Sequence, residues 1–229
     1  MIEENNKEIY METIDLKLPK LDCGVCGFRT CKDFSLGVKT NPLLVERCIY
    51  LSEKTIPGGN KKEDSKNGEV KFVSGLVDSL GRDFDFILEH FPEDPGPREI
   101  ILPHNPMLTR ELEIQKEDIL IGRPLGMSCG CPVTHCGIVR DVDQRTGVIV
   151  WCVTGPLNPR QKGFKDLGYY IAEGYEGLIA EARSEIKIGM RYFFQPRMCM
   201  LQWRHSGLVN FLNRIPQGLQ VRLEGLWIG

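Results

Sequence analysis

Four cysteines, Cys23, Cys26, Cys31 and Cys48, stand in the spacing C-x2-C-x4-C-x16-C. Cysteine thiolates hold zinc ions or the irons of iron–sulfur clusters, and spacing helps to separate the two. Thiolate zinc sites usually pair two C-x2-C hooks, and the second hook is missing here. Three thiolates within nine residues, joined by a fourth from a later helix, can instead wrap a cubane. Gly24 and Gly27 follow the first two cysteines, where the backbone must curl and aim N–H groups at inorganic sulfur. The pattern predicts a [4Fe–4S] cluster on Cys23, Cys26, Cys31 and Cys48; a structural zinc site is the alternative.

A second group, Cys129, Cys131 and Cys136, has the spacing C-x-C-x4-C, with Pro132 after Cys131. Residues 134–154 read as a β-hairpin turning over Asp143-Gln144-Arg145-Thr146-Gly147. Positions whose numbers sum to about 290 then lie opposite each other, so Cys152 faces Ile138 and neighbours Cys136 diagonally. Cys152 is the expected fourth ligand of a second [4Fe–4S] cluster, with Cys199 in reserve. Buried thiols in an ordinary turn are the competing reading. His135 has two readings as well, a metal or cluster contact or the end of a hydrogen-bond network.

His104 lies between Pro103 and Pro106, and Trp203-Arg204-His205 follows Cys199. These residues could meet a substrate, an anion or a flavin, and as ordinary turn and core residues they need no ligand. Asp141 and Asp143 lack the spacing of a calcium loop. The chain contains no phosphate-binding loop, dinucleotide fingerprint or nucleophile elbow.

The elements that must position these groups fall into two parts. An acidic, polar start without a signal-peptide core, and no apolar run near the roughly 20 residues of a membrane span, point to the cytoplasm. In that reducing compartment nine cysteines mean metal or redox chemistry rather than cross-links. A net charge of −2 gives no general attraction for nucleic acid. Residues 29–40 read as a helix, Asn41-Pro42 breaks it, and 43–51 form a short helix carrying Cys48. The polar, glycine-containing stretch 58–69 reads as a linker between a cluster-binding domain, 1–57, and a domain over 70–229. In the second domain, helices are expected at 72–91 and 201–212, and strands at 99–102, 118–121, 137–142, 148–153, 185–194 and 219–227. The fold class is α+β: a small helical iron–sulfur domain followed by a mixed, largely antiparallel α+β domain.

The stretch Leu21 to Cys48, with Cys23, Cys26, Gly27, Cys31, Phe34 and Cys48 in place, resembles a known small iron–sulfur domain. It is similar to the cluster domain of the large subunit of the corrinoid/iron–sulfur protein and to that of the B subunit of the Rnf complex. The resemblance covers residues 15–55 and implies a low-potential [4Fe–4S] cluster that passes single electrons. Ile49, not proline, follows Cys48. Neither the corrinoid signature nor tandem ferredoxin motifs occur in this chain, so corrinoid binding and membrane attachment do not carry over. The expected function is electron transfer in anaerobic metabolism, with a ferredoxin or oxidoreductase as partner. A cluster-containing reductase with a substrate or flavin site, and a zinc-stabilised interaction module, are the alternatives.

Overall fold

A computed structural model describes residues 18, 20, 22–48, 51, 70–126 and 130–228. The chain divides into two compact units, residues 1–63 and 64–229. The stretch read as a linker, 58–69, and Cys129 lie outside the described residues.

In the first unit a cysteine-bearing loop runs into helix α1 (Cys31–Thr40), followed by a 3-10 turn over Pro42–Arg47. The Thr30 side chain caps α1 by accepting from Asp33 N–H at 3.0 Å, and Asp33 adds a negative charge in the first turn. Phe34 and Val38, one helical turn apart, are buried with Leu18, Cys48 and Leu51. Pro42 cannot continue α1 and starts the next turn instead.

The second unit is mostly sheet. Its strands are β1 (Lys71–Phe72), β2 (Phe86–Glu89), β3 (Arg98–Pro103), β4 (Ile119–Pro124), β5 (His135–Val142), β6 (Ile149–Thr154), β7 (Lys165–Ala182), β8 (Arg191–Pro196), β9 (His205–Ile215) and β10 (Gly218–Ile228). Short helices α2 (Leu108–Glu111) and α3 (Leu157–Lys162) interrupt them. Among the described residues the ten strands belong to one mixed sheet, ordered β10-β9-β8-β2-β7-β3-β6-β5-β4, with β1 pairing β7 off this path and further β10–β7 and β7–β4 pairings. Those two pairings close two rings on the 18-residue β7. Its first half completes a ring with β3, β4, β5 and β6, and its second half completes one with β2, β8, β9 and β10. Closure removes the free sheet edges that an open sheet of this size would expose.

Hairpin β5–β6 has the register read from its turn, with Ile138 opposite Cys152 and Cys136 opposite Thr154. Two expected helices are corrected. Residues 72–91 carry apolar groups at helical spacing, yet Gly75 and Gly81 take positive φ (82° and 74°) and Val77 and Leu80 are exposed. The buried apolar residues there are Phe84, Phe86, Leu88 and Phe91; the first three follow the period of a strand, and β2 carries Phe86 and Leu88. Residues 201–212 are likewise not a helix, since β9 begins at His205 and pairs with both β8 and β10. The strand expected at 185–194 starts only at Arg191.

Asp78, in the loop before β2, fixes the turn that precedes β9. Its carboxylate accepts from Leu80 N–H, Arg82 N–H and Arg204 N–H and pairs with the Arg82 guanidinium at 2.7 Å. Ser79 reaches the same turn, bonding Leu201 and Gln202 carbonyls. Burial works against the charge on Asp78, but Arg82 and the surrounding N–H groups outweigh it and hold the carboxyl below the usual range.

Two outcomes follow. A depressed native pKa contributes stability above the unfolded value near 3.8, lost as pH falls through the native value. Asp78→Asn should therefore lower the urea midpoint at neutral pH, and the gap to wild type should narrow as pH drops below that range. A Cβ at Gly137 would sit 2.4 Å from the Trp151 ring, which packs across the hairpin. Gly137→Ala should cost about 1–3 kcal/mol in denaturant unfolding, because neither backbone nor indole has room to yield.

Candidate metal centre

Cys23, Cys26, Cys31 and Cys48 all line one cavity of the first unit, together with Gly24, Val25, Phe28 and Phe34. Gly24 and Gly27 take φ of 76° and 90°, left-handed conformations open to glycine at little cost. The resulting curl aims Val25 N–H at Cys23 and Phe28 N–H at Cys26. Asp22 Oδ1 pins the start of α1 by accepting from Cys31 N–H at 2.6 Å. Cys31 thus sits in the first turn of α1. Phe28 packs edge-on to Phe34 at 5.6 Å and covers Gly37, where a Cβ would meet its ring at 2.7 Å.

Burial raises the Cys23 thiol, and the charges of Cys26, Cys31 and Cys48 push the same way. Cys26 is also raised by burial, opposed in part by Arg47. Thiols that resist ionising alone, as Cys23 and Cys26 do, are suited to a cationic centre that draws off their protons. Among the described residues no three Cys, His, Asp or Glu side chains converge on a single ion position. Thiolates around one zinc stand about 3.8 Å apart, whereas each thiolate of a cubane takes its own iron. The residues present therefore fit a cluster: four thiols around a cavity, amides directed at sulfur, and one nearby guanidinium.

The second cysteine group is arranged differently. Cys131, Cys136 and Cys199 line a cavity of the second unit with His135, Thr154 and His205. Val153, Pro196, Met198 and Met200 give it apolar walls. Cys152 does not line it. That thiol lies buried beside Asp94, Arg98 and Arg140; burial, reinforced by Asp94, raises it to about 12. The sequence thus fixes which residue faces Ile138 but not that Cys152 sits apart from Cys131, and Cys199 takes the cavity position.

Sequence reading missed what lies behind this cavity. Glu99 on β3 is fully buried and accepts from Trp151 Nε1 at 2.9 Å and from Tyr170 Oη at 3.2 Å. His135 Nδ1 lies 2.7 Å from Tyr170 Oη and 3.4 Å from Glu99 Oε2, and its Nε2 is 3.3 Å from Cys131 Sγ. Burial disfavours the imidazolium, but Glu99 and then Cys131 outweigh it and raise His135 to about 10. Burial and the neighbouring His135 lower His205 to about 4, and its Nδ1 is 3.1 Å from the Trp203 carbonyl. Thr154 Oγ1 is buried without a hydrogen-bond partner among the described residues.

The residues suspected of a substrate or flavin site do not gather. His104 is exposed. The Arg204 guanidinium lies over the Phe193 ring at 3.9 Å and donates to the Asp83 carbonyl, while Trp203 stands beside Arg82. Only His205 reaches the second cavity. No helix among the described residues is long and apolar enough to cross a membrane.

Residues 18–50 match the family model described as "Putative Fe-S cluster", a span that holds all four cysteines of the first unit. Across nearly its whole length the chain is similar to "Uncharacterized protein MJ0119" of Methanocaldococcus jannaschii, 26% identical over 233 residues, covering 97% of this chain and 95% of that one. No solved structure matches the chain. The family match supports a small iron–sulfur domain at the N-terminal end and an iron–sulfur cofactor within it.

Proposed function

We propose that the first unit binds one [4Fe–4S] cluster through Cys23, Cys26, Cys31 and Cys48, and that the protein exchanges single electrons with a redox partner. The observation that carries this reading is the gathering of four thiols around one cavity, with backbone N–H groups directed at two of them. A bound cluster supplies one-electron chemistry, tuned by hydrogen bonds to sulfur and by exposure. The chain's own residues set that environment. Val25 and Phe28 amides and the Arg47 guanidinium stabilise negative charge on sulfur, while Phe28 and Phe34 exclude water from one side. A ferredoxin or an oxidoreductase is the partner class such a centre serves.

The core of this unit is small, built from Leu18, Phe34, Val38, Cys48 and Leu51 with a few half-buried neighbours. Ligation would supply folding free energy that so few apolar groups cannot.

Anaerobic purification should yield a brown protein with about four iron and four sulfide per chain at this site and a paramagnetic signal on reduction. Cys31→Ser and Cys48→Ser should each abolish that signal; a colourless protein carrying one zinc ion would reject the reading. Stripping the iron with a chelator should make the first unit sensitive to trypsin, while a fragment of the second unit persists. Equal resistance of both units after iron loss would show that the metal does not hold the first unit together.

A further inference from the structure

We propose that the cavity of the second unit is a dithiol redox site for small organic disulfides, with Cys131 as nucleophile, His135 as its proton carrier and Cys199 as the second thiol. Two observations lead there. Cys131 Sγ and His135 Nε2 are within hydrogen-bonding distance at 3.3 Å. The far side of the same imidazole is held by Tyr170 Oη at 2.7 Å and by Glu99, itself fixed by Trp151. Nucleophile, base and a third group that orients the base form the arrangement that activates a thiol. With both ring nitrogens protonated, Nε2–H donates to the Cys131 sulfur, Nδ1–H donates to Tyr170 Oη, and the Tyr170 hydroxyl donates to Glu99.

Cys199 supplies what a lone nucleophile lacks. It lines the same cavity as Cys131. Backbone N–H groups of Leu201, Gln202 and Trp203 point at its sulfur and offset part of the cost of ionising it there. The turn carrying it is clamped by Asp78 and Ser79. The apolar walls suit an organic group, and the unpaired Thr154 hydroxyl offers it one polar contact.

The chemistry balances without a metal. Cys131 thiolate attacks one sulfur of a disulfide R–S–S–R; that bond breaks, and the leaving RS⁻ takes the proton of His135 Nε2. Cys199 then gives its proton to His135 and attacks the Cys131 sulfur of the mixed disulfide. The second RS⁻ leaves and takes that proton. The substrate gains two electrons and becomes two thiols, while Cys131 and Cys199 lose two and become joined; an external dithiol reductant restores them. The titratable groups facing the Cys131–His135 pair are Glu99 on β3, Cys136 on β5, Tyr170 on β7, Cys199 on the turn and His205 on β9.

The test uses the full chain, kept anaerobic, and a dipyridyl disulfide whose released thione is followed by absorbance. Wild type should release two thiones per chain in a fast phase, and peptide mapping should find Cys131 joined to Cys199. Cys199→Ser should stop after one, as a mixed disulfide on Cys131, and Cys131→Ser should lose the fast phase. His135→Gln should slow it about a hundredfold. Tyr170→Phe and Glu99→Gln should move the pH at which the fast phase rises upward, a change that loosened packing would not produce; wild-type circular dichroism qualifies each variant. A fast phase that survives Cys131→Ser, a cross-link to a different cysteine, or a metal ion lost in Cys131→Ser but kept in Cys31→Ser overturns the proposal. Loss of cluster iron in Cys31→Ser with the cross-link intact would separate this site from the first unit's centre.

Discussion

The buried carboxylate of Glu99 is the constraint around which the second unit is arranged. A carboxylate removed from water is costly unless donors replace its hydration. Here the partners come from three other strands: Trp151 from β6 and Tyr170 from β7 donate hydrogen bonds, and His135 from β5 supplies the opposite charge. One charge thus specifies how β3, β5, β6 and β7 close into a ring, and removing any donor would leave charge or dipole stranded in the core. Trp151 in turn requires the bare Cα of Gly137 beneath its ring. The network also determines the state of His135, so the packing of the ring and the chemistry of its cavity are one arrangement.

The first unit obeys a different logic. Its core is a handful of side chains around four thiols, and the half-buried Cys23 and Cys26 thiols are raised by their surroundings. On the proposed reading, such a module is organised by what the sulfurs bind. The glycines, the capped helix and the phenylalanine pair each serve to bring four sulfurs to one cavity.

Legibility in the sequence followed contact distance. The first cysteine group and α1 are local, and α1 is legible from apolar spacing and the Asn41-Pro42 break. The short helix expected over 43–51 is instead a 3-10 turn over Pro42–Arg47 that ends before Cys48. The β5–β6 register was readable because its turn is compact and polar. What spacing cannot give is which thiol a distant element delivers: the hairpin register points to Cys152, and Cys199 occupies the cavity. The helical readings of 72–91 and 201–212 failed because apolar spacing there came from strands and loops buried by partners far along the chain. β7 went unread because it pairs on both edges along much of its length and is bulged and glycine-containing, which erases the simple alternation of a half-buried strand. The Glu99 network joins residues 35 to 71 positions apart, and no local pattern announces it.

β7 has a consequence for how this molecule can change over time. Because one strand closes both rings, neither ring can be excised, duplicated or exchanged as a cassette without leaving raw backbone donors and acceptors along the other. The two rings are therefore bound to a shared evolutionary fate, and variation should accumulate in the connections between strands rather than in the number of strands.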